Sequence, residues 1–341
     1  MVEKHTREEL KQWQSLPLDV KIMMTKDRIR SWYDHWEGKV YVSFSGGKDS
    51  TVLKHIVDSM YEDVPSLFIN TGLEYPEIQK FAMSQPKVET IRPKLNFKEV
   101  VEKDGYPVVS KEIAKDIYYA RKNGEKDIHY QKLHHMGKYK DYPYVSKRWV
   151  TLEDAPFKIS DKCCYHMKKS TAKRYEKESG RHPIIGSMAD EGKQRETQWL
   201  RYGCNIFDGG RPISKPMSFW TEQDVLRYLV EYNVPYCEVY GDIRVKLKNQ
   251  VDGQMNIYDL TKLPMEGEVL ETTGAYRTGC IFCMFGCHLE KEPNRFQRLK
   301  ETHPRQYEYC INGGQWVDGQ WMPSKEGLGL WRVLDTIGVK Y

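Results

Sequence analysis

The chain has 341 residues, of which 39% are apolar and 30% charged, and its formal charge is +5. This is enough chain for one large or two modest cores, and the charge permits a polyanionic partner without demanding one. Neither a signal-peptide core nor an apolar run of about 18 residues occurs, so the expectation is a cytoplasmic protein with no membrane segment.

Residues 1–38 predict a helical segment in which Ile29, Trp32, Tyr33 and Trp36 share one face and pack on the rest of the protein. Val40-Tyr41-Val42-Ser43-Phe44 then reads as a buried strand, Ser45-Gly46-Gly47-Lys48-Asp49-Ser50 as a turn, and Val52, Leu53, Ile56, Val57 and Met60 as the inner face of a helix. A strand, glycine turn and helix start gather backbone N–H groups and the positive helix end at one point, which makes a phosphate site. Gly46 and Gly47 let the backbone approach an anion closely. Ser45 and Ser50 add hydroxyl donors, and Lys48 is expected as a mobile positive charge. The spacing is not that of the Walker A loop, which requires Gly-x-x-x-x-Gly-Lys-Ser/Thr.

Ser66–Asn70 predicts a second strand that runs into Thr71-Gly72. Ligands of open α/β sheets sit beyond the carboxyl ends of the strands, so Asn70, Thr71 and Gly72 are candidates for an adenine or ribose contact. Lys87–Pro93 reads as a third strand, and Asn96–Val101 opens a helix that ends near Asp104-Gly105. The alternation argues for an α/β fold with a doubly wound parallel sheet.

Residues 111–150 interleave ten lysines and arginines with Tyr118, Tyr119, Tyr130, Tyr139, Tyr142, Tyr144 and Trp149. Two readings stand: a surface that reaches phosphates and stacks on unpaired bases, or a solvated helical insertion whose tyrosines pack inward. Pro183–Met188 is a fourth expected strand, leading into Ala189–Arg195, and Ile213–Met217 a fifth. Thr221 caps a helix that carries Val225, Leu226 and Leu229 inward. Residues 241–275, with Asp252-Gly253 and Glu266-Gly267, read as turns and a hairpin. They divide a nucleotide-binding domain at 39–240 from a C-terminal region at 241–341.

Of eight cysteines, two clusters stand out: the tandem Cys163-Cys164, and Cys280-Ile281-Phe282-Cys283 followed by Cys287. Four soft sulfur ligands suit zinc or an iron–sulfur cluster, and spacing alone does not choose between them. Lys162, Lys168, Lys169 and Arg277 are expected to offset the thiolate charge. Cys204, Cys237 and Cys310 stand singly and read as buried free thiols.

The stretch Ser45–Ser50 resembles the PP-loop of the ATP pyrophosphatases, Ser-Gly-Gly-x-Asp-Ser. Together with Thr71-Gly72, Cys163-Cys164, Gly186–Arg195, Pro212–Val225 and the C-x-x-C, it resembles the phosphoadenosine phosphosulfate reductase family of the adenine nucleotide alpha hydrolase-like superfamily. The resemblance covers roughly residues 39–290. It implies an ATP, adenylyl sulfate or phosphoadenosine phosphosulfate ligand with Mg²⁺, held by Ser45, Gly46, Gly47, Lys48, Asp49, Ser50, Asn70, Thr71 and Gly72. It further implies Lys48, Asp49 and Arg195 as catalytic residues, and a [4Fe–4S] cluster on Cys163, Cys164, Cys280 and Cys283. Cys287 has no counterpart in the family pattern and is an alternative ligand to one of the tandem pair.

Two departures shape the expected activity. The reductases attack sulfur with a cysteine in a Glu-Cys-Gly-x-His motif, whereas no cysteine follows Cys310 here. The family's first arginine in Gly-x-Arg-x-x-Glu-Ser-x-x-Arg is Met188, while the last is kept as Arg195. The resemblance therefore implies a PP-loop ATP pyrophosphatase that activates a substrate by adenylylation for sulfur transfer, with nucleic acid as acceptor and a sulfur or electron donor protein as partner. The alternatives are a sulfonucleotide reductase using Cys287 or Cys310, and a non-catalytic nucleotide-binding subunit.

Overall fold

The computed structural model describes residues 4–141, 146–247 and 268–341. The chain forms two compact units, each built from separated stretches of sequence. The first comprises residues 1–70, 74–91 and 172–278, and the second 71–73, 92–171 and 279–341.

In the first unit, helix α1 (Arg7–Gln14) starts on a capping box between Thr6 and Glu9. Helix α2 (Leu18–His35) buries Ile29 and Trp32 completely, while Tyr33 and Trp36 pack half-buried against the same core. Trp36 also stacks on His182, with ring centroids 3.5 Å apart. The N-terminal helices are thus part of the core, as the aromatic stripe suggested. Lys21, 1% exposed, fastens α2 through a 2.7 Å ion pair to Asp224 in the helix Glu222–Glu231. That helix begins on the Thr221 capping box and buries Val225, Leu226 and Leu229.

Strand β1 (Val40–Phe44) leads into helix α3 (Lys48–Asp58), whose Val52, Leu53, Ile56 and Val57 are fully buried. Strand β2 (Ser66–Ile69), helix α4 (Pro76–Ser84) and strand β3 (Val88–Ile91) follow. The sheet order is β3, β2, β1, His182–Ile185, Ile213–Ser214, Asn205–Ile206. Val42 stands beside Ser66 on one side and Ile184 on the other, both parallel. The first five strands are parallel and the last is antiparallel, so the α/β sheet is mainly rather than wholly parallel. The expected strand at Ile213–Met217 stops at Ser214, because the Lys215 carbonyl turns back to accept the Ser218 amide. The edge strand Asn205–Ile206 has too short an apolar run to be seen in the sequence.

The expected hairpin exists as Ile243–Leu247 paired with Glu268–Thr272. Its suggested turns at Asp252-Gly253 and Glu266-Gly267 lie outside the described residues.

The second unit is mostly helical. Its helices include Phe97–Asp104, Lys111–Asn123, Ile128–Leu133, Arg295–Thr302, Pro304–Ile311 and Leu330–Ile337. A short parallel pairing of Val108–Val109 with Met284–Phe285 ties the stretch after the C-x-x-C to the middle of the chain. In the basic and aromatic region, Arg121 donates to the carbonyls of Leu152, Glu153, Ala155 and Phe157. Tyr119 stacks on His129, which bonds the buried Asp116 at 2.6 Å. These groups follow the packed reading, while Lys115, Lys122, Lys126, Lys138, Lys140 and Lys147 lie exposed. Tyr142 and Tyr144 lie outside the described residues.

Trp32→Ala should cost about 3–5 kcal/mol, the range for emptying a fully buried aromatic site. Thermal or urea unfolding measures this. A loss below about 1 kcal/mol would mean that the N-terminal helices are not integral to the core.

Candidate functional site

The sheet reverses its direction of growth between β1 and His182–Ile185, since β2 and β3 extend one side and the later strands the other. A cleft of about 250 Å³ opens there, at the topological switch point where open α/β sheets bind ligands. Ser43, Ser45, Gly47, Lys48, Asp49 and Ser50 line one wall, Ile185, Gly186, Ser187, Glu191 and Arg195 another, and Tyr240, Arg277 and Thr278 complete it.

The loop is stitched by its own hydroxyls. Ser50 Oγ accepts from the Ser45 amide at 3.2 Å and donates to the Gly47 carbonyl at 2.9 Å, and Thr51 Oγ1 donates to the same carbonyl. Gly46 takes φ +74°, and a Cβ there would lie 3.0 Å from Ile78 Cγ2. Gly46 therefore backs the loop against α4 rather than lining the cleft. Gly186 is equally constrained, since a Cβ would stand 3.0 Å from the Asp49 carbonyl oxygen.

The charges are arranged differently from the sequence expectation. Lys48 is 4% exposed and is not a mobile cation. Its Nζ lies 2.9 Å from Glu222 Oε1 and 2.8 Å from the Tyr276 carbonyl. Its amide donates to the Tyr240 hydroxyl, which is 2.6 Å from Thr278 Oγ1. Asp49 Oδ1 is buried without a hydrogen-bond partner among the described residues. Burial raises the Asp49 carboxyl above the usual range, opposed by Lys48. Arg195 is ion-paired to Glu191, and burial and the neighbouring Arg277 depress its guanidinium. Arg277, expected beside the thiolates, lines this cleft instead. Met188 is 3% exposed in the main core and does not face the cleft.

Asn70 closes β2, and its Oδ1 accepts from Gln79 Nε2 at 3.2 Å, away from the residues that line the cleft. Thr71 and Gly72 belong to the second unit, where Thr71 Oγ1 accepts the Leu73 amide. Tyr240, Arg277, Thr278 and Glu222 were not singled out as nucleotide-site residues from sequence, because nothing local marks them.

In the second unit, Cys163, Cys164, Cys280 and Cys283 share one pocket of about 50 Å³ with Leu73, Phe97, Pro107, Met167 and Lys168. Structure thus brings together the four cysteines that the resemblance implied. Cys163 and Cys164 stand in the first turn of a helix that continues into a π-turn at Tyr165–Lys169, a setting that favours thiolate. Their sulfurs are 4.0 Å apart. The Cys163 thiol donates to Cys164, which lowers Cys164 with help from Lys111, Lys168 and Lys169, and raises Cys163.

The C-x-x-C closes on a bond from the Cys283 amide to the Cys280 carbonyl. Arg295 Nη1 braces it at the Cys283 carbonyl, and the Ile281 amide at the Leu73 carbonyl. Val109, which pairs with Phe285, has φ +62°, a strained state for a β-branched residue. Among the described residues no three His, Cys, Asp or Glu side chains already form a metal-ligating group. The soft donor set and apolar walls nevertheless fit a thiolate-bound centre.

Cys287 is outside this pocket, with its thiol on the Met284 carbonyl, and burial pushes it up to about 12. Cys310 is fully buried and its thiol is raised well above the usual range. Cys204 and Cys237 are buried as expected.

The phosphoadenosine phosphosulfate reductase domain matches residues 39–122 and 118–284, and the chain belongs to this family. An uncharacterised protein of Methanocaldococcus jannaschii is 35% identical over 86 residues, 23% of this chain and 21% of that protein. Subunit 2 of a Rhizobium sulfate adenylyltransferase is 30% identical over 94 residues, 27% of this chain and 31% of that one. The chain therefore spans less than a third of the length of either curated relative. The solved phosphoadenylyl-sulfate reductase of Candida auris is 18% identical, with 70% of this chain and 92% of that chain covered at a TM-score of 0.35. No helix among the described residues is long and apolar enough to cross a membrane.

Gly46→Ala should lower stability by about 1–2 kcal/mol, the cost of a left-handed backbone at a residue with a Cβ. An unchanged denaturation midpoint would mean that the loop relaxes out of this conformation.

Proposed function

We propose that the chain is a PP-loop ATP pyrophosphatase that adenylylates an acceptor for sulfur transfer. The observation that carries the reading is the cleft at the switch point, where the intact loop, Asp49 and Arg195 surround a space open to a nucleotide's phosphates. The Asp49 and Ser50 amides in the first turn of α3, which lack intrahelical acceptors, and the Ser45 hydroxyl would donate to phosphate oxygens. An oxygen of the acceptor attacks the α-phosphorus, the bond from that phosphorus to the β-phosphate oxygen breaks, and pyrophosphate leaves with the electron pair. Arg195 and the loop amides neutralise the growing negative charge. Mg²⁺ would compensate the unpartnered Asp49 carboxylate. Asn70, which follows β2 in the same unit, is retained as a candidate for the nucleoside end.

Cys163, Cys164, Cys280 and Cys283 would hold a [4Fe–4S] cluster, which supplies a soft, redox-active centre when bound. Arg295 fixes the Cys283 backbone and Lys168 offsets thiolate charge. The acceptor we favour is nucleic acid, supported by the exposed lysines of residues 111–150, with a separate protein as sulfur or electron donor. A sulfonucleotide reductase would need Cys287 or Cys310 as its nucleophile, and burial of both weighs against it.

Anaerobic incubation with ATP and an acceptor should yield pyrophosphate and the adenylylated acceptor, with AMP released once a sulfur donor displaces it. Sulfite released from adenylyl sulfate or phosphoadenosine phosphosulfate with a reductant would instead make the chain a reductase. Protein purified anaerobically should be brown and lose its ~400 nm absorption in Cys283→Ser. A colourless protein with one zinc would overturn the cluster assignment.

A further inference from the structure

The loop lysine is the residue that a sequence reading assigns to phosphate, yet its ammonium is already held by a carboxylate and a carbonyl. Lys48 Nζ bonds Glu222 and the Tyr276 carbonyl, and lies 5.4 Å from the ring centroids of both Tyr240 and Tyr276. Swinging it toward a ligand would leave the Glu222 carboxylate, 17% exposed, without its counter-charge. The contacts of Lys48 fall on either side of one residue. Its ammonium holds the carbonyl of Tyr276, and its amide reaches Thr278 through the Tyr240 hydroxyl. Between them stands Arg277, which lines the cleft.

Resting on the nucleotide reading above, we infer that Arg277 is the phosphate-binding arm of this cleft and that Lys48 is the positioning residue that holds it in place. Arg277 is exposed, and among the described residues it has no ion pair or hydrogen bond, its guanidinium resting 5.7 Å from the Tyr276 ring centroid. Arg195, the other guanidinium of the cleft, shares its charge with Glu191 in an ion pair. Among the described residues Arg277 is thus the cleft's cation with no ion-paired carboxylate, Asp49 acting on it only through space, and a planar fork suits two oxygens of one phosphate. The two arginines line one cleft and repel each other, and a bound anion relieves that repulsion. The ligand chemistry is a pyrophosphate or a triphosphate tail, with the nucleoside playing no part in this contact.

Equilibrium binding of ATP, inorganic pyrophosphate and adenosine to the full chain tests the assignment. Arg277→Gln should weaken ATP and pyrophosphate at least tenfold, leave adenosine and the melting temperature unchanged, and be partly restored by Arg277→Lys. Lys48→Met should also lose pyrophosphate affinity, and the double variant should bind no more weakly than Lys48→Met alone, because Lys48 acts through Arg277. Additive losses would overturn the positioning role and make Lys48 a direct ligand. Wild-type binding of ATP together with unchanged binding in Arg277→Gln would overturn the Arg277 assignment while leaving the nucleotide reading intact. A wild-type chain that binds neither ATP nor pyrophosphate would overturn both.

Discussion

Lys48 stands at the first position of α3 with its ammonium withdrawn from water, and the geometry of the cleft at the switch point depends on how that charge is satisfied. A buried ammonium is tolerated only when paired and hydrogen-bonded. Glu222 provides the carboxylate and Tyr276 the carbonyl. The lysine thereby draws together the start of the helix Glu222–Glu231 and the segment that carries Arg277 and Thr278. Ser50 and Thr51 close the loop from within, and Gly46 and Gly186 leave the room that this closure needs. A loop of this sequence without its distant partners would have the right donors and no defined cleft.

The cysteine pocket of the second unit is built on another principle. Its two halves come from a helix start and a tight C-x-x-C turn, each stabilised independently of any ligand. Arg295, itself held by Glu290, and the pairing of Val108–Val109 with Met284–Phe285 brace the turn from behind. The strain at Val109 sits in that brace, where surrounding packing over-determines the backbone. Four thiols among Leu73, Phe97, Pro107 and Met167 lie in a medium of low polarity. There a neighbouring lysine has more effect on thiolate charge than it would in water.

Much of the first unit was legible in the sequence. The strand at Val40–Phe44, the face of Val52, Leu53, Ile56 and Val57, and the Thr221 cap are local patterns in which each residue's neighbours along the chain decide the outcome. Shorter elements were not legible, because the two residues of Asn205–Ile206 contain no period to detect. Nor could the order of residues along the chain show that 92–171 and 279–341 belong to one compact unit. The region 111–150 had a composition suited to nucleic acid, yet Arg121 spends its donors on four backbone carbonyls. Composition counts charges without saying what they face.

By itself the sequence determined the family, the α/β sheet, the glycine loop and the identity of the thiol ligand candidates, since these rest on residue type at short spacing. Only the tertiary structure decided how the charges that line the cleft are paired. Lys48 was turned inward and Arg277 outward by contacts between residues as far as 228 positions apart, and a charge's role is set by the partner that folding brings to it.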